Sequence, residues 1–274
     1  MLASALSRRG QMPGRASQER LRAAPRIRSV GSGALSEALT KALILEEPDR
    51  IASKRMHASM LADLCTRERV LVKQHDVHPT KVYPASLRVR FDLGTFAHDV
   101  VRNSYLADQL WGDWRCLACG WMAEGYRPSA EHGDHRCTSD VWRYIEREVE
   151  RDGVVGHLDA MEHDRLLGPG VTEIKTMESA RFQHGALPLK EHTIVLQVYL
   201  WLTGFRWGRL LYVSTGIEKV SPFKDYVFRY DLRTARRIAQ IAAEESAGGK
   251  RACRTATDAR ALACPVRRPC WEGS

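Results

Sequence analysis

Apolar and polar positions divide the chain into alternating helical and extended stretches. From 92 to 110 (DLGTFAHDVVRNSYLADQL), Leu93, Phe96, Val100, Ala107 and Leu110 fall on one face at about 100° per residue. Gly94, His98, Val101 and Tyr105 fall on the other. The pattern predicts a helix with an apolar seam for the core and a second face carrying one imidazole. Gly94, lacking a side chain, would let a metal ion or nucleic acid approach that face closely. A helix is also expected from about Ser36, and a helical pattern runs from Lys54 to Gln74. The stretch 196–202 (LQVYLWL) reads as an apolar helix interrupted by one amide, Gln197, which needs partners if buried. Extended runs are expected at 82–89, 141–149, 209–213 and 226–230, and Asp231 suits the N-cap of a helix ending at Gly248-Gly249.

Two further stretches read as adjacent strands: Gly156-His157-Leu158-Asp159 and Glu173-Ile174-Lys175. A turn rich in polar residues, Gly and Pro (HDRLLGPG, 163–170) lies between them. Because strand side chains alternate, Val155, His157 and Asp159 share a face, and so do Glu173 and Lys175. Thr172, Ile174 and Thr176 point the other way. The two acids can therefore meet beside an ammonium group. Carboxylate oxygens suit Mg²⁺ or Mn²⁺, and a lysine near a metal-bound water suits phosphodiester cleavage. An isolated E-x-K is more often a solvated surface pair, so its companions carry the weight.

Taken in order, Gly94-x-x-x-His98, Gly156-His157-Leu158-Asp159, Glu173-Ile174-Lys175 and Gln197 resemble the PD-(D/E)XK superfamily, and within it the RecB-like nucleases, over roughly 59–270. The resemblance implies a restriction-endonuclease-like α/β core, a mixed central sheet flanked by helices. It implies that His98, Asp159 and Glu173 hold the metal and that Lys175 orients or deprotonates the attacking water. Gln197 would position Lys175 or the DNA. One departure stands out: the family usually has Tyr four residues after this Gln, where the chain has Trp201, with Tyr199 two residues early. The implied activity is that of a metal-dependent DNA nuclease, an exonuclease acting on DNA ends or single strands in repair, recombination or phage DNA processing.

Seven cysteines, an odd number, exclude a fully paired disulfide framework. Cys65, Cys253, Cys264 and Cys270 resemble the four cysteines of the iron–sulfur RecB-like nucleases, including AddB and the CRISPR-associated exonucleases. That likeness implies a [4Fe–4S] cluster. The middle group opens as Cys116-x2-Cys119-Gly120 and closes on Cys137. With a histidine as fourth ligand it suits tetrahedral Zn²⁺ in an insertion over about 111–140. His132 or His135 is close enough, and His132-x4-Cys137 is the easier geometry. A thioredoxin-type pair is the competing reading of Cys116 and Cys119, but the strand-to-helix setting is missing.

Composition adds limits. At 274 residues the chain can hold one sizeable α/β core with insertions or two small domains. Nothing approaches 18 consecutive apolar residues, so no transmembrane span is expected and an intracellular setting is. Residues 1–30 hold seven Arg and one Glu, or +6 of the +9 net charge, leaving +3 for the rest. The basic pI is therefore weak support for DNA binding. Residues 1–35 are expected to be a disordered basic arm, with an organelle transit peptide as the alternative, and 36–274 the nuclease domain. The rival reading is a non-catalytic zinc and iron–sulfur DNA-binding or recombination-partner protein, with a cysteine redox protein third.

Overall fold

The computed structural model describes residues 45–48, 56–62, 65–75, 80–129, 137–218, 221–251 and 253–272. The expected arm (1–35), the helix from Ser36, His132 and His135 lie outside them. The described chain opens with strands β1 (Leu45–Pro48) and β2 (Met56–His57), followed by a 3₁₀ turn at Ala58–Ala62. Helix α1 (Thr66–Gln74), strand β3 (Thr80–Tyr83) and helix α2 (Ala85–Val100) follow, α2 ending in a π-turn at Val101–Tyr105. Seven strands come next: β4 (Trp111–Cys116), β5 (Met122–Tyr126), β6 (Trp142–Ile145), β7 (Arg147–Arg151), β8 (Val154–Leu158), β9 (Ala160–Asp164) and β10 (Gly168–Met177). Helices α3 (Ser179–His184) and α4 (Lys190–Thr203) lead to β11 (Trp207–Ser214) and β12 (Phe223–Arg229). Helices α5 (Leu232–Ser246), α6 (Ala259–Ala263) and α7 (Arg267–Trp271) complete it.

The architecture is mixed α/β, sheets flanked by helices. The main sheet has the order β12-β11-β10-β9, with β10 and β11 parallel and the other pairs antiparallel. Smaller sheets have the orders β2-β8-β7, β5-β4-β6 and β1-β3. Helix α4 is apolar nearly all round, and Val195 to Leu202 are all buried, as expected of a helix enclosed on every side. It packs in the main core with Val171, Leu210 and Tyr212 of the sheet and Ile238 and Ile241 of α5. The opposite face of the sheet, presenting Ile174, Leu211 and Val213, packs on Val101 at the end of α2. Among the described residues no helix is long and apolar enough to cross a membrane.

Several local expectations change. The run 82–89 is not one strand: β3 ends at Tyr83, Pro84 takes the N-cap position and α2 starts at Ala85. The alternation Leu87, Val89, Phe91 mimics a strand, but a proline at a helix entry has no N–H to lose and fits the helical start. The helical pattern of 54–74 resolves into β2, the 3₁₀ turn and α1, which begins only after Cys65. The run 141–149 divides at Glu146 into β6 and β7. The seam of α2 is also reversed in part. Leu93 and Phe96 are 54% and 67% exposed, whereas Val101 is buried. The packed face is the one carrying Gly94, because a Cβ there would stand 3.2 Å from the Thr176 hydroxyl of β10. Gly94 thus permits the close helix–strand approach. Asp231 caps α5 as expected, accepting from the Arg233 and Thr234 N–H groups.

Candidate active site

The two acidic motifs do not lie on neighbouring strands of one sheet. β8 pairs with β7 and β2, whereas β9 pairs with β10. Asp159 occupies the single residue between β8 and β9, where the chain passes from one sheet to the other. It is held there by the main chain of the second motif: its Oδ2 accepts from the Ile174 N–H at 2.8 Å. His157, expected on the face of Asp159, instead turns to solvent, with Nε2 3.6 Å from Glu148. Val155 is fully buried.

Asp159, Glu173, Lys175 and His98 form one cluster. His98 Nδ1 lies 3.4 Å from Asp159 Oδ1. The Lys175 ammonium is in direct contact with Glu173 Oε1. Glu173 is 2% exposed, and its Oε2 is buried without a hydrogen-bond partner. Burial pushes the Glu173 carboxyl up to about 8, with the neighbouring Asp159 carboxylate adding to the rise. Burial also acts to raise Asp159, but the His98 imidazole, the Lys175 ammonium and the Ile174 N–H outweigh it and hold that carboxyl below its ordinary value. Burial opposes the charge on Lys175, yet the two carboxylates outweigh it and leave the ammonium held more tightly than usual. Two carboxylates with opposite tendencies, sharing one ammonium, form a site short of positive charge.

A buried carboxylate oxygen with no donor is a poor fit to a site completed by protein alone. It fits a hard divalent cation, for which carboxylate oxygens and one imidazole nitrogen are suitable ligands. Asp159, Glu173 and His98 are the candidates to supply them, although among the described residues three ligand atoms draw together within 4.8 Å only at Cys116, Cys119 and Cys137.

Gln197 is placed elsewhere. Its Nε2 donates to the Arg229 carbonyl at 2.9 Å and its Oε1 accepts from the Asp231 N–H at 2.8 Å. The amide thus clamps the junction between β12 and α5, and no hydrogen bond joins it to Lys175. Its burial follows from the apolar surroundings of α4, and both halves of the amide are satisfied by main chain. We expect Gln197→Ala to lower stability by about 1–3 kcal/mol, through two backbone groups left unpaired, with divalent-cation affinity unchanged. Urea denaturation and metal titration of the same variant check this. Tyr199 and Trp201 are equally internal. Tyr199 lies where a Cβ on Gly156 would come within 2.6 Å, and Trp201 is 5% exposed with the Arg151 guanidinium 5.2 Å from its ring.

The neighbours of Lys175 that sequence reasoning missed are Tyr212 and His192. Tyr212 sits opposite Lys175 in the parallel β10–β11 register. Its hydroxyl accepts from the Leu189 N–H at 2.9 Å and lies 3.0 Å from His192 Nδ1. Burial, reinforced by the Lys175 charge, brings the His192 imidazole down to about 4. A histidine kept neutral in the fold contributes stability that is present above its ordinary value near ~6.5 and is lost as pH falls through the folded value. We therefore expect the stability difference between wild type and His192→Gln to shrink from pH 6.5 to pH 4, as read from urea midpoints across that range. A constant difference would show that the imidazole does not titrate in this way. No spacing rule reveals this pair, because the register of two parallel strands joined by two helices is a tertiary property.

Among the described residues, one set of cysteine sulfurs converges. The sulfurs of Cys116, Cys119 and Cys137 lie within 4.8 Å of one another. Elsewhere, burial pushes the Cys264 thiol up to about 11, with Cys65 and Cys270 among the neighbours adding to the rise. Cys264 and Cys270 pack with Leu71 and Val72 of α1 and with Val266, and Cys65 is the N-cap residue of that helix. Cys253 is partly buried in the segment after α5.

No protein-family model matches the chain, and no curated protein matches it in sequence. Solved structures do align with it. The alkaline exonuclease LHK-Exo from Laribacter hongkongensis is 13% identical, with 77% of this chain and 93% of that one covered and a TM-score of 0.45. LHK-Exo in complex with dAMP gives 14%, 77%, 91% and 0.44. A phage-related exonuclease from Haemophilus somnus 129PT gives 10%, 71%, 92% and 0.36. At these identities and scores the likeness concerns general fold alone, and what the site can do is set by its own side chains.

Proposed function

We propose that this chain is a metal-dependent DNA nuclease of the PD-(D/E)XK, RecB-like kind, hydrolysing phosphodiester bonds at DNA ends or in single strands. The observation that carries the reading is the buried Glu173 oxygen without a partner, beside Asp159, His98 and Lys175. Asp159, Glu173 and His98 would hold Mg²⁺ or Mn²⁺. When bound, the metal makes water a stronger nucleophile and draws charge from the phosphoryl oxygens. The residues of the chain do the rest. The Ile174 N–H fixes the Asp159 carboxylate. Lys175 places a positive charge where negative charge grows in the transition state, and the neutral His192 and the Tyr212 hydroxyl add no competing cation beside it. Burial of Glu173 keeps bulk water from screening these charges.

The four cysteines Cys65, Cys253, Cys264 and Cys270 would hold a [4Fe–4S] cluster, tying the C-terminal helices to α1. Cys264 and Cys270 pack against Leu71 and Val72 of α1, and Cys65 is the N-cap residue of that helix, which supports this for three of the four thiolates that the cluster requires. Such a cluster serves structure here, since nothing in the chemistry above needs an electron.

The test is cleavage of end-labelled linear single- and double-stranded DNA by anaerobically purified protein with Mg²⁺, Mn²⁺ or EDTA. We expect metal-dependent loss of label or laddering, absent in EDTA. No cleavage by folded, metal-loaded protein would favour the non-catalytic DNA-binding reading. Iron analysis and the visible absorption of the same sample test the cluster.

A further inference from the structure

The β5-β4-β6 sheet carries a convergent set of ligands, apart from the acidic site. Cys116 ends β4 and is buried, Cys119 is exposed in the following turn, and Cys137 enters ahead of β6. Cys116 Sγ and Cys137 Sγ are 4.0 Å apart, and all three sulfurs lie within 4.8 Å of one another. From this convergence we propose that the three thiols hold one Zn²⁺ and that the ion sets the position of the Asp159 turn. Describing Asp159 as a ligand of the catalytic metal rests on the nuclease reading; the zinc site does not.

Distance favours a shared ion. Zinc–sulfur bonds of about 2.3 Å in a tetrahedron place the sulfurs roughly 3.8 Å apart, whereas a disulfide needs about 2.05 Å. The turn is shaped to present both of its thiols. The Gly120 N–H donates to the Cys116 carbonyl at 2.9 Å, and the Cys116 N–H donates to the Trp121 carbonyl at 2.8 Å. Gly120 has φ +77°, a left-handed conformation that favours glycine. The Leu117 N–H donates to the Val141 carbonyl at 3.0 Å, tying the turn to the segment that brings in Cys137. With three thiolates in place, the fourth position is left to an imidazole or a water. On binding, each thiol releases its proton to solvent, and no electron moves.

The sheet needs such a staple. Its own buried cluster is small: Trp114, Cys116, Trp142 and Tyr144, with Ala107, Leu110 and Ala160. A core of that size contributes little, and a structural zinc supplies folding free energy directly. The same cluster reaches Asp159, because Ala160 is the next residue. The Tyr144 hydroxyl of β6 accepts from the Met161 N–H at 3.0 Å and donates to the Trp111 carbonyl at 3.2 Å. The Tyr144 N–H donates to Asn103 Oδ1 at 2.7 Å. Arg102, 4% exposed, bridges Asp99, Glu146 and the Asp159 carbonyl, and Arg143 of β6 binds Asp99 at 2.6 Å. The strand stapled by the thiols therefore grips both the end of the His98 helix and the turn bearing Asp159.

The experiment uses the full chain, expressed with zinc and purified anaerobically without chelator. One zinc per chain is expected by elemental analysis, with little or none in Cys137→Ser. Stripped, reduced wild type should take up Co²⁺ with thiolate-to-cobalt absorption, lost in Cys116→Ser. Mn²⁺ affinity, read by calorimetry, should fall at least about tenfold in stripped wild type, as when outer-shell support of a metal ligand is removed. One equivalent of zinc should restore it, an arm that does not depend on any variant folding. Wild type that carries no zinc and binds no cobalt overturns the site. Mn²⁺ affinity indifferent to zinc overturns the positioning role. Zinc-dependent Mn²⁺ binding without DNA cleavage would retain this inference while removing the nuclease reading.

Discussion

Glu173→Gln is expected to reduce DNA cleavage to the level seen in EDTA while leaving the metal-free fold at least as stable as wild type. The two effects have one origin. Glu173 is buried, and one of its oxygens has no partner. Its carboxyl, pushed up to about 8, is held in the proton-bound form by an environment that disfavours its charge. The folded chain therefore binds this proton more tightly than the unfolded chain. The resulting stabilisation is complete below the ordinary carboxylate range and is lost as pH rises through about 8. Metal-free wild type should thus lose stability from pH 5 to pH 8, and Glu173→Gln should lose less. Mg²⁺ or Mn²⁺ binds the ionised form, so metal should raise the melting temperature of wild type and have little effect on the variant. Thermal melts at pH 6 and pH 8, with and without Mn²⁺, check the set. A variant that melts far below wild type in the absence of metal would show that the carboxylate is structural.

Lys175→Met is expected to act on rate rather than on metal. The methionine keeps an unbranched side chain of similar length and removes the ammonium that touches Glu173 Oε1. Loss of one preorganised charge-stabilising group costs about 10²–10³ in turnover. The metal should still bind within about tenfold, because a divalent cation replaces the missing charge between the two carboxylates. The stability of the metal-free variant should fall on raising the pH more steeply than that of wild type. Lys175 is one of the cationic neighbours holding Asp159 ionised and opposing the rise at Glu173, and without it two buried acids face each other. Single-turnover cleavage alongside Mn²⁺ titration separates these effects. Cleavage at the wild-type rate would remove Lys175 from the chemistry.

The part of this site that was legible in sequence was the part written in local spacing. Glu173 and Lys175 share a face because they are two apart on a strand, and the strand is real. Asp159 and His98 join them, though not as adjacent-strand geometry would have it. Asp159 works from a gap between sheets and is anchored by the Ile174 N–H, a contact invisible to face counting. The helix period of α2 was readable, but its polarity was not. Leu93 and Phe96 are more apolar than Gly94, yet it is glycine that permits the close approach to Thr176, and hydrophobicity does not encode backbone proximity. Gln197 was recognisable as an amide needing partners, but they are main-chain groups of Arg229 and Asp231 rather than Lys175. Tyr212 and His192 reach Lys175 through strand register and helix placement, which only the assembled fold sets.

The joint between α1 and the chain after α5 has a consequence for the order of folding. The Arg67 N–H donates to the Lys250 carbonyl, the Lys250 N–H to the Thr66 hydroxyl, and Arg69 and Lys73 both grip Glu245. The partners stand 172 to 184 residues apart. A contact across so long an intervening loop carries a high entropy of closure until the intervening chain has collapsed. On the ribosome, α1 emerges early and must wait, its polar and apolar groups unmatched, until the residues near 245–250 have been synthesised. The strands of the main sheet, which lie between the two halves of this joint in sequence, are all synthesised before α1 can close on these partners.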